Sequence, residues 1–310
     1  MSIQVKQVTN SRSSNLIQLK AMAIAIVTPT GNVGQQVTQL LAAEADLLIL
    51  LARHPEKLSD AIRQQAKVFQ GSLTDTAFVV EATQAAEALF WVSPINFNVA
   101  NTKVWYADLT RAVTTAVQTH HIPYVVNLSS VGAHLPTGLG PISQLHSIEQ
   151  NLNQVATNII HLRPNFFMEN YYYQLEALQN ASVFFPFSSK QRMPMVATRD
   201  IAAVAANLLL NRTWQGHSII GLNGVDISFE EAATILSQVL GQSIKHVQIT
   251  FEQFHEAMLK QGASFDVATQ YTQMWRGLTA PDFTPVPPTL ETTPTTFAEF
   301  ANAALKPLQR

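Results

Sequence analysis

At 310 residues the chain exceeds the usual domain of ~100–200 residues, so one large domain or a main domain with a smaller lobe is expected. Hydrophobic residues make up 47% and charged residues only 13%, against a usual charged share of ~25%, which excludes a disordered or highly charged chain. A formal net charge of −2 without Lys/Arg runs disfavours nucleic acid and anionic membranes as partners, and the absence of cysteine removes disulfides, thiolate metal sites and a cysteine nucleophile and suits a cytoplasmic protein.

Apolar stretches such as Ala21–Val27 and Asp46–Ala52 fall short of the ~18 residues of a membrane span. Residues 1–21 carry Lys6, Arg12 and Lys20 with no acid, lack the apolar core of a secretory signal, and read as a loose extension or an over-long start. From residue 22, short apolar runs alternate with helix-period segments, the pattern of a parallel α/β sheet. Ala23–Val27 reads as a first strand, and Val33, Val37, Leu40 and Leu41 then give one apolar helical stripe. Further strands are expected at Leu47–Leu51, Lys67–Gln70, Ala88–Val92, Tyr124–Leu128 and Ile159–Leu162, with helices over Pro55–Gln65, Asp75–Ala85 and Lys103–His120 between them. Asp200–Leu210 reads as a helix packing back on the sheet. Ser228 with Glu231 forms a capping box for a helix that Gly241 closes, Ile244–Ile249 is a short strand, and Thr296 with Glu299 caps a last helix. Pro281, Pro285, Pro287, Pro288 and Pro294 crowd one stretch that reads as a loop and a candidate lid.

Chemistry concentrates at the strand ends. Thr28-Pro29-Thr30-Gly31-Asn32-Val33-Gly34 links the first strand to the first helix, where outward amides and the helix dipole can hold a pyrophosphate. Thr28 stands where a dinucleotide-binding glycine pattern has its first glycine, while Gly31 and Gly34 are kept; the alternative is an ordinary tight turn. After the second strand come Arg53 and Lys57, where an NAD site usually carries an acid. A guanidinium there can fork onto a ribose 2′-phosphate, which points to NADP(H), unless both cations are simply solvated. Ser72, Ser93-Pro94, Ser129-Ser130 and Pro164-Asn165-Phe166-Phe167 follow the next strands and are expected to line one crevice. Ser129 and Ser130 either meet a nicotinamide or substrate carbonyl or cap their own loops. Phe166, Phe167, Met168 and Tyr171-Tyr172-Tyr173 form either core or a pocket wall.

Several catalytic sets are missing. No tyrosine has lysine four residues on, and neither a G-x-S-x-G elbow nor an H-E-x-x-H helix occurs. Adjacent His120 and His121 diverge on a helix and read as surface residues. His146, after the fifth strand, either faces the nicotinamide or is structural.

The segments TPTGNVG, ARHPEK, NLSSVGAH, GPISQLHSIEQNLN, HLRPNFFMEN and ATRDIAAVAA together resemble the NmrA-like group of atypical short-chain dehydrogenase/reductases, from about Met22 to the last helix. The resemblance implies a Rossmann-type doubly wound parallel sheet over residues 22–165 and a small C-terminal α/β substrate lobe over 166–310. It also implies NADP(H) across the strand ends. Thr28, Pro29, Thr30, Gly31, Asn32 and Val33 would hold the pyrophosphate, Arg53 and Lys57 the 2′-phosphate, and Ser93 and Pro94 the middle of the cofactor. Ser72 and Ser129 would join from neighbouring strand ends, with Pro164, Asn165 and Phe166 on the nicotinamide side and Phe167 and Met168 on the substrate side. Members divide between reductases, some acting on quinones, and proteins that sense the dinucleotide. Leu145 occupies a position where many members carry lysine, so a lysine mechanism is in doubt. The expected function is an NADPH-preferring reductase of a small quinone or carbonyl compound, with His146 and Ser129 as candidate catalytic groups. The alternative is a non-catalytic NADP(H) sensor acting through a protein partner. A homodimer is left open.

Overall fold

A computed structural model describes residues 22–281, 283 and 290–308. The expected N-terminal extension, and Pro285, Pro287 and Pro288 of the proline-rich stretch, therefore lie outside the described residues. The first half of the chain builds a β/α alternation: β1 (Ala23–Val27), α1 (Asn32–Leu41), β2 (Leu47–Ala52), α2 (Asp60–Gln65), β3 (Ala66–Gln70), α3 (Thr76–Thr83), β4 (Ala88–Val92), α4 (Thr102–His120), β5 (Tyr124–Leu128), α5 (Pro141–Val155) and β6 (Asn158–Pro164). All five residues of β1 are buried, as a parallel strand covered on both faces requires.

One expected helix breaks in two. Pro55–Lys57 is a single 3-10 turn, Leu58 is extended and buried, and Ser59 starts α2 afresh by accepting the Ile62 amide. Pulling Leu58 into the core outweighs helical continuity across the segment. His120 also departs from its expected surface position: it is half-buried and its Nε2 lies 2.8 Å from the Val80 carbonyl oxygen.

Beyond β6 run β7 (Phe166–Phe167), α6 (Leu175–Gln179), β8 (Ser182–Phe185), β9 (Arg192–Val196), α7 (Thr198–Leu210), β10 (His217–Asn223), β11 (Val225–Ser228), α8 (Phe229–Leu240), β12 (Lys245–Gln248), α9 (Phe251–Lys260), α10 (Phe265–Leu278), β13 (Leu290–Thr292) and α11 (Phe297–Phe300). β10 and β13 return to the main sheet, which has eight strands in the order β13-β10-β6-β5-β4-β1-β2-β3, all paired in parallel. β13 sits at its edge, the position a proline-flanked strand tolerates.

Helices cover both faces. Val33, Val37 and Leu41 of α1 pack with Ile201, Ala202, Ala205 and Leu209 of α7 on one side, while α3, α4 and α5 cover the other. The Glu169 carboxylate caps α7 from a distance: it accepts the Thr198 amide at 3.0 and 3.1 Å and its hydroxyl at 2.6 Å. Burial, the largest influence, raises the Glu169 pKa. The remaining strands form small sheets, β11-β9-β7 and β12-β8, around an aromatic core of Phe166, Tyr171, Phe185, Phe187, Phe229 and Phe297. Among the described residues no helix is long and apolar enough to cross a membrane.

A buried polar pair lies in the centre of the sheet. Asn127 Nδ2 donates to His161 Nδ1 at 2.9 Å, leaving Nε2–H for Asn153 Oδ1 at 3.1 Å, an arrangement that suits only a neutral ring. Burial lowers the His161 pKa from 6.5 to about 4. The unfolded chain therefore binds the extra proton first, so this contribution is intact above pH 6.5 and is lost as pH falls towards 4. Denaturant titrations should show the wild type losing on the order of 3 kcal/mol over that window, with His161→Gln losing distinctly less; parallel curves would refute it.

Candidate active site

The turn after β1 is built by a close backbone approach. Thr28 has φ +51°, a left-handed conformation that glycine adopts more cheaply, and its carbonyl accepts the Gly31 amide at 2.9 Å. A Cβ on Gly34 would sit 2.1 Å from that same carbonyl oxygen, so only glycine lets the first turn of α1 rest there. Gly31 caps α1 without a side-chain hydrogen bond, and no acid stands in the first turn. In contrast, Asp75, Asn101, Ser228 and Thr250 cap α3, α4, α8 and α9 with their side chains. The opening of α1 thus leaves its first-turn dipole uncompensated, the chemistry that suits a diphosphate. Val33 is buried and Asn32 exposed, so Val33 anchors the helix and can offer a ligand only its backbone.

Arg53 and Lys57 are exposed beyond β2, and neither has a carboxylate at ion-pair distance among the described residues. Glu56, between them, pairs with His54 Nδ1 at 3.0 Å. Gln70 Nε2 donates to the Arg53 carbonyl at 3.3 Å and ties the ends of β2 and β3 together. Ser72 is engaged in its own turn, with Thr74 Oγ1 at 2.8 Å.

Next along the strand ends is a cavity of about 630 Å³. Its floor includes Ser93 and Pro94 after β4, Ser129 and Ser130 after β5, and Asn165, Phe166 and Phe167 after β6. Ser93 accepts Trp91 Nε1 at 3.0 Å and the Pro94 carbonyl accepts Trp105 Nε1 at 2.9 Å, which ties the loop after β4 to its own strand and to α4. The Pro164 carbonyl accepts the Val131 amide at 3.0 Å, joining the β5 and β6 loops, although Pro164 itself does not line the cavity. Ser129 borders the cavity but is itself buried, and its Oγ has no hydrogen-bond partner among the described residues.

Besides Ser72 and Pro164, Met168 and His146 are not brought to the cavity. Met168 is fully buried in the aromatic core of the small sheets, because the chain turns into a 3-10 helix at that residue. His146 Nδ1 lies 2.9 Å from the Ala133 carbonyl oxygen; its neighbour Leu145 lines the cavity instead, one residue being about 100° around the helix. Behind Leu145, Arg163 forks onto Glu149 at 2.9 and 2.5 Å, fastening α5 to β6. Among the described residues no group of three or more His, Asp or Glu could hold a metal.

The opposite wall comes from residues whose roles sequence reading missed: Tyr106 of α4, then Tyr271, Met274 and Trp275 of α10, and Phe283. Tyr106 lies on the buried stripe of α4 with Thr102, Leu109 and Val113, a spacing that could have located it. For α10 there was no comparable signal. It is seated by Asp266, whose carboxylate accepts the Thr102 amide at 2.7 Å and hydroxyl at 2.8 Å, and by Ser264 Oγ, which donates to the Val99 carbonyl at 2.6 Å. Burial pushes the pKa of both phenols upward.

The chain is similar in sequence or in fold to several known proteins. An NAD(P)H azoreductase of Xenophilus azovorans is 24% identical over 287 residues, 90% of this chain and 97% of that one. An agroclavine dehydrogenase of Claviceps purpurea is 29% identical over 141 residues, 44% of this chain and 48% of that enzyme. Among solved structures, a nucleoside-diphosphate-sugar epimerase from Staphylococcus aureus superposes with TM-score 0.73 at 19% identity, covering 93% of this chain and 100% of that one. An NADPH-dependent quinone oxidoreductase from Escherichia coli, complexed with NADPH, gives 0.69 at 21% identity over 89% and 97%. The profile of the NmrA-like family matches residues 20–301, nearly the whole chain, and the protein therefore belongs to the NmrA-like family.

Proposed function

We propose that this chain is an NAD(P)H-dependent reductase that prefers NADPH and reduces a small quinone or carbonyl compound. The observation that carries the reading is what stands at the carboxyl ends of neighbouring strands: an uncapped helix start at Gly31 after β1, cations without an ion-pair partner among the described residues after β2, and a largely apolar cavity bordered by the ends of β4, β5 and β6. The names of relatives support it, the azoreductase above all.

The residues fit a dinucleotide. The amides between Thr28 and Gly34 would hold its diphosphate, Arg53 and Lys57 its 2′-phosphate, and Ser129 and Asn165 would stand beside the nicotinamide. A bound reduced nicotinamide supplies two electrons as hydride. What the chain itself does is bind, orient and exclude water. Leu145, Met274, Trp275 and Phe283 form an apolar surround in which polar contacts gain strength, and the Ser93-Pro94 and Ser129-Ser130 loops border the same cavity.

Following nicotinamide absorbance with NADPH and a panel of quinones should reveal steady oxidation. Tight NADPH binding without oxidation of any acceptor would favour the sensing alternative, and no binding would overturn both. Two variants separate the parts of the site. Arg53→Ala should weaken NADPH about tenfold or more, as loss of a charge-assisted contact does, and leave NADH within twofold. Gly34→Ala should weaken both coenzymes alike, since the diphosphate is common to them, and also cost roughly 1–3 kcal/mol of stability by overpacking. Calorimetric titration reads all four affinities; equal losses for Arg53→Ala would remove the 2′-phosphate assignment.

A further inference from the structure

The cavity contains two phenols for which the fold provides no partner. Tyr106 and Tyr271 line it from different helices, and neither hydroxyl makes a hydrogen bond with any described residue. Buried phenols ordinarily find one. The contrast with Tyr171 is instructive: its hydroxyl is unpaired and sealed within the aromatic core, whereas those of Tyr106 and Tyr271 are not sealed. The open space they share is the cavity.

Taking this cavity as the acceptor's, as in the reading above, we propose that Tyr106 and Tyr271 supply the hydrogen-bond donors for the carbonyl oxygens of a neutral aromatic acceptor of two or more fused rings, and so determine which acceptors bind. Both are donors by constraint. Burial holds them protonated, and an ionised Tyr106 would further oppose ionisation of Tyr271. The acceptor is neutral because the one cation among the lining residues, Arg192, already meets Asp226 at 3.1 Å and Glu231 at 2.9 Å, so an anion would be desolvated without compensation. More than one ring fits because about 630 Å³, within the ~300–1,000 Å³ of drug-sized sites, leaves room beyond the nicotinamide ring that the same reading sets beside Ser129 and Asn165, and Trp275 and Phe283 add flat apolar surface. The donors are fixed in advance: Asp266 clasps Thr102, so α10 cannot slide along α4 without breaking both bonds.

The test is equilibrium binding of 1,4-naphthoquinone, read by quenching of tryptophan fluorescence, with naphthalene as the carbonyl-free control and 1,4-benzoquinone as the single-ring control. Each is measured with and without NADP+. Tyr106→Phe and Tyr271→Phe should each weaken naphthoquinone about fivefold and the double variant about twentyfold, while naphthalene stays within twofold. Benzoquinone should bind the wild type at least tenfold more weakly than naphthoquinone. In turnover, KM should rise more than kcat falls. Unchanged naphthoquinone affinity in both variants, or equal loss for naphthalene, would overturn the proposal, as would no detectable naphthoquinone binding by the wild type. Benzoquinone binding as tightly as naphthoquinone would overturn the ring-size part. Should Tyr106→Phe fail to fold, Tyr271→Phe, on the half-buried face of α10, carries the comparison. NADPH titration of the same proteins keeps the two readings apart: phenol-dependent quinone binding without NADPH binding would sink the reductase and spare the donors, and the reverse result would do the opposite.

Discussion

The contact on which the site depends is the seating of α1 on the backbone of Thr28. Because residue 34 has no Cβ, the first turn of the helix reaches a carbonyl that any side chain would meet at 2.1 Å. That approach sets the direction of α1, and with it the position of its uncapped amides at the carboxyl end of β1. The strand order reverses beside this point, with β2 on one side of β1 and β4 on the other. A crevice at the reversal is the general consequence of such a sheet.

A second contact closes the crevice. Asp266 and Ser264 pin the start of α10 to the loop and first turn of α4, so an element late in the chain becomes the wall facing Ser129 and Asn165. The wall is aromatic and its polar atoms are few, which makes each unpaired hydroxyl count for more than it would in water. Selectivity then rests on a handful of donors in an apolar surround rather than on charge.

Beneath both, buried polar groups hold the layers in register. Glu149 and Arg163 join α5 to β6, His161 sits between two asparagines, and Glu169 caps α7. The Glu149–Arg163 pair, the His161 ring and the Glu169 carboxylate are each paired where they are buried, because breaking a buried ion pair would cost about 3–5 kcal/mol.

The order of β1 to β6, the glycine turn and the capping boxes at Ser228 and Thr296 were legible in the chain itself, since each depends on neighbours a few residues apart: a buried apolar run, a hydroxyl three residues before a glutamate. What lay beyond reach was decided by distant partners. The break at Leu58, the return of β10 and β13 to the sheet, the turn that buries Met168 and the one-residue rotation that presents Leu145 in place of His146 all follow from packing against segments far away in sequence. Asp266 finds Thr102 across 164 residues, and no local spacing encodes that meeting. Sequence thus determined the parallel sheet and the bend that opens its first helix, because those are short-range matters of burial and backbone geometry. Tertiary structure alone decided which side chains face the cavity, because a side chain's direction is settled only when its element has been rotated and docked against the rest.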